Sequence, residues 1–377
     1  MPKLKLGGNN PPDKTKKMSL RDKVKAISLL PEEKYRSIDF ISSGSSTLNL
    51  ALTDNINYAY PIGRMVNIVG DYSTGKTLAA CEVVNALWYI YHLQKGKKIK
   101  IYYDEPEDAF DMDLAKKFNM PLEHIYGLRE KLPGHVKDGA DFCASRTVED
   151  FYNSVTTITR ESKNYDCVLY VLDSMDSLSD ARELNHIEKK GIEKQDFKGG
   201  KAAVLSQLFR TTIQDINGSN ILLIIISQIR DKMNAGPFEK KHTRAGGHAL
   251  DFYASQIIWL LERGKLKAKN GLVNGIDVNA YVDKNKVGDR YRTANFQILH
   301  GHGIDDLSSL VEFIWDNGGI TKAGAYLKYN GENYTRDALI QLADNDINVV
   351  NDLKCIVQNR WSKMVLEAKP QRNNKWG

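Results

Sequence analysis

Met65-Val66-Asn67-Ile68-Val69-Gly70-Asp71-Tyr72-Ser73-Thr74-Gly75-Lys76-Thr77 is the stretch that decides how this chain is built. Its first part is a short apolar run, read as a buried strand. Its second part, Gly70 to Thr77, fits G-x-x-x-x-G-K-[ST] in full, and helical spacing follows from Lys76 to about Leu93. Strand, glycine-rich loop and helix in that order make an anion cradle. The glycines let the backbone wrap a phosphate, successive N–H groups point inward, and the helix start adds partial positive charge. The spacing predicts a nucleoside triphosphate site, with ATP and Mg²⁺ as the expected ligands. Gly70, Asp71, Tyr72, Ser73, Thr74, Gly75, Lys76 and Thr77 form the loop. Lys76 is expected at the β- and γ-phosphates and Thr77 on the metal.

Outward from the loop, strands alternate with helices. Ile99–Tyr103, Val168–Leu172 and Ile221–Ile226 read as strands, the last apolar enough to be buried on both faces. Ala109–Phe118 and Ala202–Ile216 have helical spacing, with Leu205, Leu208, Phe209 and Ile213 on one side of the second. Ser255–Leu261, Ile276–Val282 and Ala294–Leu299 are later strands. This alternation predicts an α/β core with a mainly parallel sheet. After about residue 308 the pattern turns helical, with a strand at Tyr326–Tyr329 before an Asn330-Gly331 turn. That predicts a small α+β C-terminal domain. At the other end, residues 1–17 hold five lysines with Gly7-Gly8 and Pro11-Pro12 and read as a disordered basic tail. Ser19 and Asp22 then start a short helix with Leu20, Val24, Ile27 and Leu30 in register, stopped by Pro31. The expected division is a tail at 1–17, a helical oligomerisation segment at 18–36, the core at 37–305, a small domain at 306–368 and a flexible tail at 369–377.

The 377 residues are 42% hydrophobic and 27% charged, an ordinary globular balance. A formal net charge of +6 is compatible with a polyanionic partner without demanding one. Cys81, Cys143, Cys167 and Cys355 are scattered, without metal-type pairing, as in a reducing cytoplasm. No apolar run reaches the length of a membrane span, and the basic N-terminus is not followed by the apolar core of a secretory leader. A cytoplasmic protein with no membrane partner is expected.

Two acidic positions complete the nucleotide chemistry. Asp173 follows the strand Val168–Leu172 and is expected to hold Mg²⁺ through water. Asp104-Glu105-Pro106-Glu107-Asp108 follows the strand Ile99–Tyr103 and supplies a carboxylate to orient an attacking water. Position alone leaves its four carboxylates open.

With these pieces in place the chain resembles the RecA family of recombinases over most of its length. Ile41-Ser42-Ser43-Gly44, Leu48-Asn49-Leu50-Ala51-Leu52 and Gly63-Arg64-Met65-Val66 resemble the lead-in to that family's phosphate loop. Glu107-Asp108-Ala109-Phe110-Asp111 is similar to the segment carrying its catalytic glutamate, and Ser227-Gln228-Ile229-Arg230 to the strand end where a glutamine senses the γ-phosphate. Gly246-Gly247-His248-Ala249-Leu250-Asp251-Phe252-Tyr253-Ala254-Ser255 resembles the sequence after its second DNA-binding loop. Asp283-Lys284-Asn285-Lys286 and Asn295-Phe296-Gln297-Ile298-Leu299-His300-Gly301 resemble the end of its core, and Lys322–Tyr326 through Gly331-Glu332 its bacterial C-terminal domain. The fold implied is a RecA-type P-loop NTPase core. There are departures. Leu114 stands where the family often stacks an aromatic on adenine, the acidic segment is one residue longer than the bacterial form, and the C-terminal tail is basic.

The resemblance assigns roles. It picks Glu107 as catalytic, with Glu105 as fallback, and puts Asp111 near the adenine. It makes Gln228 a nucleotide-sensing switch and the stretch Ile229–Ala245 a DNA-binding loop, with Arg230, Lys232, Lys240, Lys241 and Arg244 on phosphates and Phe238 against bases. Gly246 and Gly247 close that loop. A first DNA loop falls at about Ser179–Gly200. Lys284 and Lys286, on one face of a strand, would reach the γ-phosphate bound by a neighbouring subunit. The N-terminal helix 19–30 and Phe252 are candidates for that contact, although Phe252 also reads as core. The implied function is a DNA-dependent ATPase that forms helical filaments on single-stranded DNA and exchanges strands with homologous duplex. Two alternatives share this core, a hexameric helicase or motor and a recombination mediator that binds nucleotide without exchanging strands.

Overall fold

The computed structural model describes residues 38–184, 200–231, 242–244, 247–370 and 372. In chain order, β1 (Phe40–Ile41) leads to α1 (Ser46–Thr53), β2 (Tyr60–Pro61), β3 (Arg64–Gly70) and α2 (Lys76–Asn85). Then come β4 (Ile99–Asp104), α3 (Met112–Lys117), β5 (Ile125–Tyr126), α4 (Val148–Glu161), β6 (Cys167–Leu172), α5 (Gly200–Asn217), β7 (Ile221–Asp231), β8 (His242–Arg244) and α6 (Gly247–Tyr253). The core ends with β9 (Gln256–Lys267), β10 (Val273–Asn285), β11 (Thr293–Leu299) and β12 (Gly303–Asp305). Beyond it lie α7 (Asp306–Asn317), β13 (Thr321–Ala323), β14 (Tyr326–Tyr329), β15 (Glu332–Tyr334), α8 (Arg336–Asn345) and α9 (Ile347–Glu367).

The central sheet runs β12-β11-β10-β9-β3-β7-β6-β4-β5. From β5 to β9 every neighbouring pair is parallel, and β9 to β12 is an antiparallel meander. Residues on alternate sides of the strands feed two cores. Val66, Ile68, Leu222, Ile224 and Ile226 pack on the side of α2 and its continuation. Met65, Val69, Leu223 and Ile225 pack on the side of α4, α5 and α6. All six residues from Ile221 to Ile226 are fully buried, as their unbroken apolar run requires. The result is a three-layer α/β domain with a mixed, largely parallel sheet.

The C-terminal helices and the β13-β14-β15 meander enclose a third apolar cluster. It is shared with α1, which gives Leu50 to it and Leu48, Ala51 and Leu52 to the sheet. Asp306 accepts from the Ser46 N–H (2.6 Å) and hydroxyl (2.7 Å), and Trp361 Nε1 donates to Asp54 (2.7 Å). Among the described residues no helix is long and apolar enough to cross a membrane.

Several sequence expectations shift in detail. The helix expected over Ala109–Phe118 starts only at Met112, because Asp111 is its N-cap and Asp108 sits at φ +53°. The helix from Lys76 stays α-helical to Asn85 and continues as a π-helical stretch over Ala86–Gln94. The strand expected at Ile221–Ile226 runs on to Asp231, where Ile229 to Asp231 pair with Arg244 to His242. The ends of the stretch expected as a DNA loop are therefore a two-stranded ribbon. Residues 1–37, 185–199, 232–241, 245, 246, 371 and 373–377 lie outside the described residues, the last two covering most of the tail expected at 369–377. That places the basic tail, the helix 19–30, most of the first loop, and Lys232, Phe238, Lys240, Lys241 and Gly246 outside them too.

Candidate nucleotide-binding site

In a parallel sheet, ligands sit beyond the carboxyl ends of the strands, where the order of strands reverses. Here β3 lies between β7 and β9, and the ends of β3, β7, β6 and β4 adjoin one another. Gly70 pairs in register with Gln228, and Asp104 with Leu172, so the four ends present Gly70–Thr77, Gln228, Asp173 and the acidic segment side by side.

The loop's shape depends on its glycines. A Cβ on Gly70 would stand 2.3 Å from Thr74 Oγ1. Gly75 has φ +87°, in the left-handed region, and a Cβ there would meet Ile298 Cδ1 at 2.3 Å. Thr74 Oγ1 donates to the Asp71 carbonyl (2.9 Å), closing the turn from inside. Lys76 Nζ folds back onto the same carbonyl (2.6 Å). Burial lowers the Lys76 pKa, while the charges of Asp173, Asp71, Asp176 and Glu107 raise it. Those four carboxylates therefore lie near enough to the ammonium to act on it. Tyr72, 89% exposed, projects away from the loop.

Thr77 Oγ1 donates to Asp173 Oδ2 (2.7 Å), so the two residues expected on the metal already touch. Tyr103, fully buried on β4, donates its hydroxyl to the same oxygen (2.9 Å). Burial pushes the Asp173 pKa up, and the Thr77 and Tyr103 hydrogen bonds oppose that by stabilising the carboxylate. A hydroxyl and a carboxylate at 2.7 Å beside a lysine suit a hard cation that takes oxygen ligands, and the residues fit Mg²⁺.

The four carboxylates of the acidic segment separate by their partners. Asp104 is buried and accepts from the Ser145 N–H (2.8 Å), the Ser145 hydroxyl (2.6 Å) and Tyr170. Glu105 is buried, accepting from the Ala109 N–H (2.8 Å) and pairing with Lys131 (2.8 Å). Asp108 pairs with the same lysine (2.7 Å). Glu107 faces the phosphate loop, accepts from Ser174 Oγ (2.9 Å) and Ser177 Oγ, and raises the Asp173 pKa by its charge. Asp111 accepts from the Leu114 N–H (2.9 Å) as a helix cap, and Phe110 packs edge-on against Tyr103.

Residues 148–305 match the family model of the RecA N-terminal domain. The chain carries a RecA-family domain. The matched span begins in α4 and ends at β12. It carries Asp173, Gln228 and the lysine pair, while the phosphate loop and Glu107 precede it. The RecA-family domain implies a RecA-like ATPase, an activity that uses ATP and Mg²⁺.

Lys284 and Lys286 lie elsewhere on the sheet. Lys284 pairs with Ile257, and Ile257 with Asn67, three rows before Gly70. That is about 10 Å back along the strand and two strand spacings, about 10 Å, across from the loop. Lys284 Nζ donates to the carbonyls of Asp251 and Phe252 (2.9 Å to the latter), and Lys286 Nζ to that of Phe252 (3.5 Å), at the last turn of α6. Phe252, read from sequence as either contact or core, is 71% exposed. Arg244, expected among the DNA-facing cations, is instead buried against Asp251 (2.6 Å) and the face of Trp259.

Sequence reading missed Ser174, Asp176, Ser177, Tyr103 and Lys201. Serine and aspartate after a strand-ending Asp mark a turn. Nothing in their spacing says that the turn reaches Glu107 on one side and Gln228 on the other.

Proposed function

We propose that this RecA-like ATPase assembles head to tail on single-stranded DNA as an ATP-dependent helical filament and exchanges strands with homologous duplex. The observation that carries this is the separation of the two lysine sets. Lys76 belongs to the chain's own phosphate loop. Lys284 and Lys286 stand too far from it and sit at the sheet's other end, beside the exposed Phe252. Cations held away from their own nucleotide are useful to a neighbour's. A head-to-tail contact repeats into a ring or an open helix.

In this reading Lys76 and the loop N–H groups bind the triphosphate. Thr77 and Asp173 hold Mg²⁺, which when bound neutralises charge on the phosphate oxygens. Glu107, oriented by Ser174 and Ser177, holds and deprotonates the attacking water. Gln228, beside Gly70 at the end of β7, reports nucleotide state to the ribbon that continues the same strand. Arg230 lies in that ribbon. Lys232, Phe238, Lys240 and Lys241 follow it in sequence as candidate DNA contacts, and Gly246 and Gly247 lead into α6. Arg244, paired with Asp251, anchors the ribbon to α6. Asp111 at the start of α3 is the candidate contact near the base.

ATP hydrolysis measured with and without single-stranded DNA, with the same samples imaged by electron microscopy, tests the proposal. DNA-stimulated turnover on helical filaments is expected. Closed six-membered rings that unwind forked duplex would replace it with a helicase, and nucleotide binding without turnover with a mediator.

A further inference from the structure

One cation near the site is absent from the roles above. Lys201, in the first turn of α5, directs its ammonium to main-chain carbonyls of Met175 (2.8 Å), Asp176 (3.1 Å) and Leu178. These belong to the short turn that follows Asp173. A single 3₁₀ turn, here Met175–Ser177, leaves most of its carbonyls without helical partners. Lys201 supplies three donors from a different element.

The side chains of this turn act on both flanks of the site. Ser174 and Ser177 donate to Glu107 Oε1, at the end of β4. Asp176 Oδ2 accepts the Gln228 main-chain N–H (2.7 Å), at the end of β7. Met175 and Leu178 are buried in the core beneath. The turn therefore touches Glu107 through two hydroxyls and the Gln228 main chain through a carboxylate, and relates the two. The ordinary alternative is a lysine that caps carbonyls for stability alone.

We infer that Lys201 is a positioning residue for hydrolysis: by holding the turn Ser174–Leu178 it keeps the Glu107 carboxylate and the Gln228 main chain in a fixed mutual arrangement. The inference rests on the ATPase reading above for its kinetic part, and on the chain alone for its structural part.

The test is Lys201→Met in the full chain, with two measurements. In the nucleotide-free protein, hydrogen exchange of segments covering Ser174–Leu178 and Gln228 should quicken about 10-fold, while exchange in α4 stays unchanged. In ATPase assays kcat should fall about 10-fold with KM for ATP within about twofold. In a Glu107→Gln background the same substitution should add little further loss, because it acts through Glu107. Equal loss in both backgrounds, or unchanged exchange at Gln228, overturns the inference. A wild type without turnover overturns the ATPase reading instead and leaves the exchange result to judge the turn. If Lys201→Met does not fold, Ser177→Ala at an exposed site and Asp176→Asn replace it. The first should lower kcat a few-fold at constant KM, and the second should quicken exchange at Gln228. Failure of both sinks the proposal.

Discussion

Lys76 and Lys284 both sit partly out of water, and their surroundings differ in sign. Around Lys76 burial lowers the pKa, and the charges of four carboxylates, Asp173, Asp71, Asp176 and Glu107, oppose it without cancelling it. Around Lys284 burial lowers the pKa first, Lys286 and Arg244 push the same way, and only Asp251 resists, leaving it at about 8. The helix C-terminal carbonyls under Lys284 and Lys286 soften that surplus without cancelling it. One end of the sheet thus sets its lysine among carboxylates. The other is a cation cluster short of an anion, and its own phosphate loop is too distant to provide one.

The sharpest way to break that comparison is subunit mixing. Lys284→Ala alone should lower turnover about 10³-fold, the scale of a trans-acting cation on a transferring phosphoryl group, while ATP binding by dilute protein is retained. Lys76→Ala should lose binding and turnover together. An equimolar mixture of the two inactive variants should then regain about a quarter of wild-type turnover, because a quarter of head-to-tail contacts pair an intact loop with an intact lysine. A mixture that stays dead places both lysines in the same subunit's site.

Smaller effects separate the carboxylates. Glu107→Gln should lower kcat about 10²-fold or more with ATP binding intact. Glu105→Gln should leave kcat within a few-fold and instead lower stability by about 1–3 kcal/mol, since it weakens a buried carboxylate's pairing with Lys131. Kinetics and denaturant midpoints on both variants decide it, and the reverse result would make Glu105 the catalytic group. Phe252→Ala, at an exposed position, should leave the unfolding midpoint unchanged and raise the concentration needed for assembly about 10-fold. A large fall in stability there would make Phe252 structural.

The sequence read well wherever the chemistry is local. The phosphate loop, Asp173 and Gln228 each follow a buried apolar strand, so strand ends and side-chain types could be placed together. The resemblance to the RecA family also rested on such segments. The acidic segment was only half legible. Position alone left its four carboxylates open and the resemblance picked Glu107; the partners of the other three, Ser145, Tyr170 and Lys131, lie 20 or more residues away. Arg244 read as a loop cation because a charged residue near a predicted DNA loop is usually solvated. Its burial depends on Asp251 and Trp259, contacts that span seven and fifteen residues. Lys201 had no signal at all, since donation to carbonyls depends on backbone placement and not on partner type. The early end of the strand Ile221–Ile226 has a similar cause: Ser227 to Asp231 lack the apolar pattern, and it is pairing with β8 that keeps Ile229 to Asp231 extended.

The cation surplus also has a pH signature, the smallest effect of the set. The Lys284 pKa is lowered to about 8 in the folded chain, below the usual 10.5 of a lysine. Between those values the unfolded chain binds the proton more readily than the folded one. Stability therefore rises with pH across this window, and the repulsion is fully present below pH 8. Because Lys284 is only partly buried, solvent screening reduces the size of the effect. The difference between wild type and Lys284→Met is the measurement that isolates it. Unfolding midpoints followed from pH 7 to 10 should converge as pH rises, with Lys284→Met the more stable at pH 7. Parallel curves would mean that the amine is an ordinary solvated one. The argument for a site short of its anion would then rest on distance alone.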